Sequence, residues 1–379
     1  MDMDGLIRDD GRSKTARASG ASGYLTIDLA ALARNYDKLS GEVAPARAAA
    51  VVKADAYGLG AGHIAAKLYA QGCRDFFVAQ FVEAVRLRPH LPGNALIFVL
   101  NGLQPGNEAG CAQQGIIPVI NSLDQWQQWS GMAQALGRRL PAVLQFDTGM
   151  SRLGLPPEER PALSDALRAG GMIDVLFIMS HLASADEADC EQNVSQHAEM
   201  TRIAQEFSGF DLCFANSGGI FLGGDYHGVL ARPGIALYGG APTAGVTNPM
   251  EPVVRLDVAV VQTRTVPAGA RVGYSGTHVT TTETRLATIA AGYADGLPRS
   301  LSGKGAVYCD GVRLPIVGRV SMDSITVDIT GLPADRLALG DLVEVLGSNQ
   351  TLEDIAQDAG TISYEILTGL GDRYERQYR

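Results

Sequence analysis

The segment Ala95-Leu96-Ile97-Phe98-Val99-Leu100 is apolar throughout, with no alternation of polar and apolar residues. A strand that is apolar on both faces is typical of a parallel sheet covered by helices. Segments with helical spacing, such as Val82–Leu87 and Gln192–Phe207, lie between it and similar runs. The other strand candidates of this kind are Ala49–Ala54, Asp75–Ala79, Ile116–Ile120, Ala142–Asp147, Val175–His181, Leu212–Asn216 and Val229–Arg232. Eight strand-and-helix units in roughly 200 residues predict a (β/α)8 barrel, although a doubly wound sheet would give a similar pattern.

The character of the sequence changes after Pro242, where strand-like segments alternate with turns rich in Gly, Pro and Asp. These segments are Val253–Thr265, Leu286–Ala291, Gly305–Tyr308, Arg313–Pro315, Ser324–Asp328 and Leu342–Leu346. Helical periodicity returns only near the end, around Leu352–Ala359 and Tyr364–Leu370. We therefore predict a barrel over residues 23–242 and a mostly-β domain over residues 243–379, with residues 24–28 as a strand able to join the second domain.

The net charge and the composition argue against nucleic-acid-binding, membrane and secreted proteins. The net charge of −10, from 31 basic and 41 acidic side chains, argues against a nucleic-acid-binding surface. No apolar run is long enough to cross a bilayer, and the N-terminus has no signal-peptide core. The five cysteines are scattered without CxxC spacing, which indicates reduced thiols. We expect a cytoplasmic protein without nucleic-acid or membrane partners, and a disordered tail over residues 1–22 because they are poor in bulky apolar side chains.

Functional side chains of a barrel lie where its strands end, so the strand ends are the first place to look for chemistry. Lys53 closes the first predicted strand, and an unpaired buried ammonium costs several kcal/mol. Taken alone, Lys53 could reach solvent or pair with Asp55. It could also be a lysine whose pKa is lowered so that it forms a Schiff base or transfers a proton.

A second group of strand ends offers a site for a phosphate. Ser217, followed by two glycines, and Gly234 supply a hydroxyl and backbone N–H groups where barrels commonly bind phosphate. A glycine pair alone is also an ordinary turn. A lysine, a phosphate cradle and Arg232 at neighbouring strand ends form a more specific combination. His181, Asp186, Asp189, Cys190 and His197 fit no common ligand spacing, so we predict no metal site.

Several motifs resemble those of the alanine racemase family, in collinear order across residues 24–375. They are Val52–Gly58, Asp147–Gly154, Ala215–Ser217, Arg232–Gly239, Val272–Gly276, Gly292–Gly296, Gly318–Asp323 and Ile362–Glu365. The resemblance implies a pyridoxal 5′-phosphate (PLP) enzyme that interconverts L-alanine and D-alanine, working as a homodimer with shared active sites. A serine or broad-specificity racemase is the nearest alternative. A PLP-dependent decarboxylase and a non-catalytic PLP carrier are more distant, because the former favours an acidic partner for the pyridine and the latter has no β domain.

The resemblance also implies roles for single residues at the cofactor. Lys53 would hold PLP covalently and act as one base, and Tyr274 of the partner subunit would act as the opposite base. Lys53 would serve D-alanine and Tyr274 L-alanine. Arg232 would bond the pyridine nitrogen, and His181 would stack on the ring. The remaining cofactor-binding positions that it implies are Tyr57, Asn216, Ser217, Gly234, Ile235 and Tyr364.

Further positions would face the substrate. Arg152 and Met322 match positions that hold the substrate carboxylate, and Asp323 lies beside them in sequence. Tyr293 and Arg299 match positions around the tyrosine base. A free phenol has a pKa near ~10, so we expect His181 and Arg299 to supply the positive charge that Tyr274 needs.

At one position, residue 145, this chain differs from many members of the family. Many members carry a carbamylated lysine where this chain has Gln145. An amide cannot form a carbamate, so Arg152 must be held by Gln145 itself, by water or by an anion.

The chemistry agrees with these roles. Racemisation needs a proton removed from one face of Cα and another delivered to the opposite face, which two opposed bases can do. PLP supplies the electron sink. Arg232 can only donate a hydrogen bond, so it would keep the pyridine nitrogen unprotonated and the sink weak.

Overall fold

A computed structural model describes residues 20–379, so most of the predicted disordered tail, residues 1–19, lies outside the described residues. The described chain forms two compact units. One spans Asp28–Val253, and the other is formed by the described residues on either side of it. The first strand, β1 (Gly23–Ile27), belongs to the second of these units. Within residues 20–379, the helices are all too short or too polar to cross a membrane.

The unit Asp28–Val253 is a parallel barrel. Neighbouring strands from β3 to β9 pair in chain order, and β10 pairs in parallel with β2. The backbone N–H of Ala49, between β2 and β3, donates to Ala231 O at 2.8 Å, and that of Arg232 donates to Ala215 O at 2.9 Å. These two bonds join the last strand to the first strand and to β9. The strands are β2 (Arg47–Ala48), β3 (Ala50–Val51), β4 (Asp75–Val78), β5 (Leu96–Val99), β6 (Ile117–Ile120), β7 (Leu140–Gln145), β8 (Ile173–Met179), β9 (Leu212–Cys213) and β10 (Leu230–Ala231).

Closure between the first and last strands confirms the predicted (β/α)8 barrel and excludes the doubly wound alternative. Large apolar side chains of the strands, such as Phe76, Phe77 and Phe98, are fully buried. The helices of the unit are α1 (Leu29–Val43), α2 (Lys53–Gly58), α3 (Ala61–Ala70), α4 (Phe81–Leu87), α5 (Glu108–Gln113), α6 (Leu123–Leu136), α7 (Arg160–Arg168) and α8 (Glu191–Glu206).

The short element α2 departs from a normal helix. Ala54, Asp55, Ala56 and Tyr57 all have φ between 51° and 57°, which is the left-handed region. This conformation costs an L-residue roughly 1–2 kcal/mol. The first strand therefore ends at Val51, earlier than the predicted Ala54, because the chain enters this turn directly after Val52.

The barrel unit continues past residue 242, where we predicted the domain boundary. The buried side chain of Asn35 on α1 donates to Glu251 O at 2.9 Å and accepts from the Glu251 N–H at 2.8 Å. Arg34 forms an ion pair with the Glu251 carboxylate at 2.7 Å. These bonds tie the connecting segment to the first helix as far as Val253.

The other unit is built on an eight-stranded sheet with the central order β16-β15-β18-β11-β1-β19. Its long strand β11 pairs with β1 and β18 through its first half and with β14 through its second half. A register shift between Val260 and Gln262 marks a bulge where the strand changes partners. Apart from the parallel pair β1–β19, the pairings of this sheet are antiparallel.

The strands of this unit after β1 are β11 (Val254–Val266), β12 (Arg271–Val272), β13 (His278–Val279), β14 (Thr284–Ile289), β15 (Ala306–Cys309), β16 (Val312–Pro315), β17 (Ile325–Asp328), β18 (Leu342–Leu346) and β19 (Glu375–Tyr378). Its helices are α9 (Leu352–Ala359) and α10 (Ser363–Gly369). The predicted strand-rich C-terminal region is confirmed. The short hairpin β12–β13 and the strand β19 were not predicted.

Candidate functional site

The predicted residues of the barrel unit lie at the carboxyl ends of its strands. Gln145 is the last residue of β7 and is buried, and His181 follows β8 closely. Asn216 lies just after β9, and Arg232 directly follows β10. Lys53 begins the left-handed turn after β3. Because parallel strands end at one mouth of a barrel, the fold gathers these side chains there.

The charges of Lys53, Arg152 and Arg232 all act on His181, so these three side chains lie within electrostatic reach of it. Burial lowers the pKa of Lys53, the positive charge of Arg152 lowers it further, and Glu83 opposes both effects. Burial also lowers the pKa of His181, to about 3, with further contributions from Arg232, Arg152 and Lys53. His181 is therefore a neutral imidazole near neutral pH. A neutral ring carries no positive charge, and the predicted role of His181 at Tyr274 stays a prediction.

Arg232 is 3% exposed and is fixed by the main chain around it. Its Nη1 donates to Cys213 O and Sγ, each at 2.8 Å, and its Nη2 donates to Ser180 O at 2.6 Å. Among its bonds to the described residues, none uses Nε. The Nε–H is thus the donor that remains for a ligand, and the rest of the guanidinium is held rigidly by the protein.

Ser217, Tyr57 and Gly234 form a small buried cradle. The Ser217 hydroxyl oxygen accepts from the N–H of Gly234 at 2.8 Å and of Ala236 at 3.3 Å, which leaves its own proton to donate. A Cβ placed on Gly234 would lie 2.2 Å from the Tyr57 hydroxyl, so this position must stay without a side chain. Ile235 begins the 3₁₀ turn that follows. Hydroxyl donors converging on a glycine fit the phosphate of PLP.

The side-chain amides of Asn216 and Gln196 form hydrogen bonds at the mouth of the barrel, and neither presents an obvious free group to a ligand. Asn216 donates to Leu182 O at 3.2 Å and accepts from Gly219 N–H at 2.9 Å, so its side chain fixes the turn after β9. Gln196 on α8 is fully buried and was not predicted. It donates to His181 O at 2.9 Å and to the Thr148 hydroxyl at 3.1 Å. A glutamine in a helical pattern is usually solvent-facing, so no pattern along the chain indicated this role.

In the strand-rich unit, Tyr274 is 71% exposed. It follows Gly273, which has φ 70°, and precedes Ser275, which has φ 62°, so a tight turn projects it from the sheet. Tyr274 lines a cavity of about 490 Å³ together with Arg264, Arg271, Ser321 and eight other residues. The two arginines were not predicted, whereas Arg299 lies on a separate 3₁₀ turn outside this lining.

Tyr293, Met322 and Asp323 lie on two turns that are bonded to each other. The N–H of Tyr293 donates to Ser321 O, and the N–H of Ala294 donates to Met322 O, both at 3.0 Å. Both turns are exposed at their tips.

Arg373, which sequence reasoning missed, links these turns by charge. Its Nε and Nη2 donate to the buried Asp295 carboxylate at 2.6 and 2.7 Å, and its Nη1 donates to Asp323 at 2.7 Å. The remaining predicted residue, Tyr364, lies in the first turn of α10 and is exposed. Within residues 20–379, no cluster of three potential metal-ligating side chains occurs.

Comparison with known proteins adds independent findings. Residues 27–242 match the alanine racemase N-terminal domain, and residues 253–378 match the alanine racemase C-terminal domain. A protein of Rhizobium johnstonii named "Alanine racemase, catabolic" is 73% identical over the full length of both chains. A protein of Agrobacterium fabrum with the same name is 61% identical, over 97% of this chain and 94% of its own.

Solved structures agree with these sequence matches. An alanine racemase from Bartonella henselae with covalently bound pyridoxal phosphate superposes with a TM-score of 0.91 at 46% identity. The superposition covers 95% of this chain and all of the other. An alanine racemase from Streptomyces coelicolor superposes with a TM-score of 0.89 at 33% identity, over 94% of this chain and 98% of that one.

Proposed function

Since the chain belongs to the alanine racemase family, we propose that Lys53 and Tyr274 are the two bases with which it interconverts L-alanine and D-alanine. The protein is an isomerase that uses PLP. The observation that best supports the assignment is the group at the barrel mouth, where Lys53 with a lowered pKa lies near a neutral His181 and the rigid Arg232.

The cradle fits the cofactor phosphate. Tyr57 and Ser217 would donate their hydroxyl protons to phosphate oxygens, and the absence of a side chain at Gly234 makes room for the Tyr57 hydroxyl. Ile235 would offer its backbone, and Tyr364 matches a further phosphate contact. When bound, PLP supplies the electron sink that makes the Cα proton of alanine acidic.

Arg232 would tune the cofactor through its Nε–H. A guanidinium stays protonated at any physiological pH, so it can donate a hydrogen bond but cannot give up its proton. A pyridine nitrogen facing it is kept unprotonated. The bonds from both Nη atoms to main-chain oxygens fix the direction in which Nε points, so this donor needs no reorganisation.

The lowered pKa of Lys53 favours its neutral amine. A neutral amine can bind the cofactor covalently and can accept the Cα proton on one face of the substrate. Tyr274 would exchange the proton on the opposite face. Arg264 and Arg271, which line the same cavity as Tyr274, are candidates for the positive charge that a tyrosine base needs.

Arg152 and Met322 would hold the substrate carboxylate. Gln145 is buried at the end of β7 and has no charge to neutralise Arg152, whose positive charge lowers the pKa of Lys53. Tyr293, Asp323 and Arg299 would surround the tyrosine base. The scattered thiols support a reducing, cytoplasmic location.

We also propose a homodimer in which each active site combines Lys53 of one subunit with Tyr274 of the other. The 71% exposure of Tyr274 supports this, because a base must be shielded from water to act on Cα. Mixing inactive Lys53→Ala and Tyr274→Phe chains tests it. Random exchange makes half of the dimers mixed, each with one intact site, so about a quarter of the wild-type activity should return. A fully active monomer, or no recovery after proven exchange, would refute the shared site.

A further inference from the structure

We propose that Glu83 is a positioning residue for this reaction, because its carboxylate fixes the left-handed turn that presents Lys53 and Tyr57. The inference rests on the proposed role of Lys53. Glu83 lies in the first turn of α4, which follows the neighbouring strand β4, and it carries none of the roles assigned above.

Both oxygens of the carboxylate are used. Oε1 accepts from the backbone N–H of Ala54 at 2.6 Å, and Oε2 accepts from the N–H groups of Ala79 and Gln80, each at 2.8 Å. The bonds of Oε2 cap the start of α4, which any helix could need. The bond of Oε1 is different, since it reaches across to the residue directly after Lys53. One side chain therefore joins the turn after β3 to the end of β4.

The turn needs such support. Four successive L-residues in the left-handed region are unfavourable, and a chain keeps that conformation only where its surroundings over-determine it. At its far end the turn is closed by Asp55, whose carbonyl accepts from Gly60 N–H at 2.9 Å and whose carboxylate accepts from Ala61 N–H at 2.7 Å. Glu83 supplies the matching support at the near end.

The turn connects two groups that the proposed function needs. Lys53 precedes it, and Tyr57 ends it with the hydroxyl next to Gly234. If the turn relaxed, the amine and the phosphate cradle would both lose their positions. Glu83 also acts through its charge, since it raises the pKa of Lys53 against the opposing effect of Arg152.

Two variants of Glu83 distinguish the effect of its charge from the effect of its hydrogen bonds. Glu83→Gln keeps an oxygen acceptor and removes the charge, and Glu83→Ala removes both. Glu108→Gln is the matched control, because Glu108 lies at the start of the next helix and likewise accepts from a backbone N–H, that of Gly106 at 2.8 Å. We expect kcat to fall about 10-fold in Glu83→Gln and about 100-fold in Glu83→Ala, the usual range for residues that orient a catalytic group, and to stay within about 2-fold in the control.

A second readout does not depend on activity. The reactivity of Lys53 toward an acylating reagent, followed by mass spectrometry against pH in the full chain stripped of PLP, reports the pKa of its amine. Removing the negative charge in Glu83→Gln should move this profile to lower pH, and the control should leave it in place. A merely structural glutamate would not move it.

The results that would overturn the role of Glu83 differ from those that would overturn the proposed function. Wild-type kcat and an unmoved Lys53 profile in Glu83→Gln would overturn the inference, as would an equal loss in Glu108→Gln. If Glu83→Ala does not fold, Glu83→Gln still decides the question through the profile. Failure of the proposed function would be seen separately, as borohydride fixation of PLP to a lysine other than Lys53 in the wild-type enzyme.

Discussion

The two units expose their candidate residues to very different degrees. In the barrel unit, Tyr57, Ser217 and Arg232 are buried, and the Ser217 hydroxyl oxygen and both Nη atoms of Arg232 are already hydrogen-bonded. In the strand-rich unit, Tyr274 and Met322 are 71% and 53% exposed. The candidate cofactor-binding groups of the barrel unit are thus already held in place. The exposed groups of the strand-rich unit would be covered in the homodimer that we propose.

Because exposure differs between the two units, we expect substitutions in the barrel unit and in the strand-rich unit to have different effects. Changes at the barrel mouth should alter cofactor binding as well as rate, because the groups there also support each other. Changes at the exposed turns should alter rate while leaving cofactor binding and folding intact.

The largest effect is expected for Lys53→Ala. The variant loses both the covalent attachment and one base, so activity should fall by at least ~10⁴-fold, the upper end for a general base. It should also purify without the yellow colour of PLP. Spectra and racemisation assays check this, with the exposed Lys38→Ala as control. Full colour and activity in Lys53→Ala would place the cofactor elsewhere and remove the basis of the comparison.

Tyr274→Phe should show the opposite pattern. It removes only an exposed hydroxyl, so PLP content and thermal stability should match the wild type while racemisation falls by ~10²-fold or more. In deuterated solvent, the α-hydrogen of D-alanine should still exchange faster than that of L-alanine, because Lys53 remains. Equal loss of exchange for both enantiomers would indicate a positional role for Tyr274. Retained racemisation would reject the two-base mechanism.

Gly234→Ala tests the cradle. The added Cβ would lie 2.2 Å from the Tyr57 hydroxyl. We expect the affinity for PLP to fall by about 10-fold or more, as overpacking predicts, while pyridoxal without phosphate is much less affected. Absorbance titrations measure both. Gly209→Ala is the control, because a Cβ there meets nothing within 4 Å. Unchanged PLP affinity would mean that the phosphate binds elsewhere.

The sequence indicated the fold well because the barrel strands are short apolar runs that end in polar residues. Each strand core lies within or beside its predicted segment, and Lys53, His181 and Arg232 are at strand ends as expected. The strand β19 was missed because Glu375–Tyr378 contains no apolar run, and its pairing with β1 comes from the far end of the chain. Such long-range pairing leaves no local signal.

The supporting residues of the site were also beyond sequence reasoning. No glycine marks residues 54–57 as left-handed, so nothing indicated that Lys53 opens a turn rather than ending a strand. Glu83 looks like an ordinary residue of a helix start, and Arg373 looks like one of many surface arginines. Both residues act through hydrogen bonds of 2.6–2.7 Å to groups that are far away in sequence. A pattern of residue types along the chain does not contain those distances.

The smallest effect concerns His181 and acid stability. Burial and three nearby cations lower its pKa to about 3, from 6.5 in an unfolded chain. Between these values the unfolded state binds the extra proton, so the free energy of unfolding should decrease as the pH falls from about 6.5 toward 3. His181→Asn removes this contribution. Urea denaturation of the PLP-free chain at pH 7 and pH 4.5 should therefore show a smaller loss of stability in the variant than in the wild type. The exposed His63→Asn serves as control. Equal losses in all three proteins would show that His181 is not held neutral by the buried barrel mouth, and would weaken the contrast between the two units.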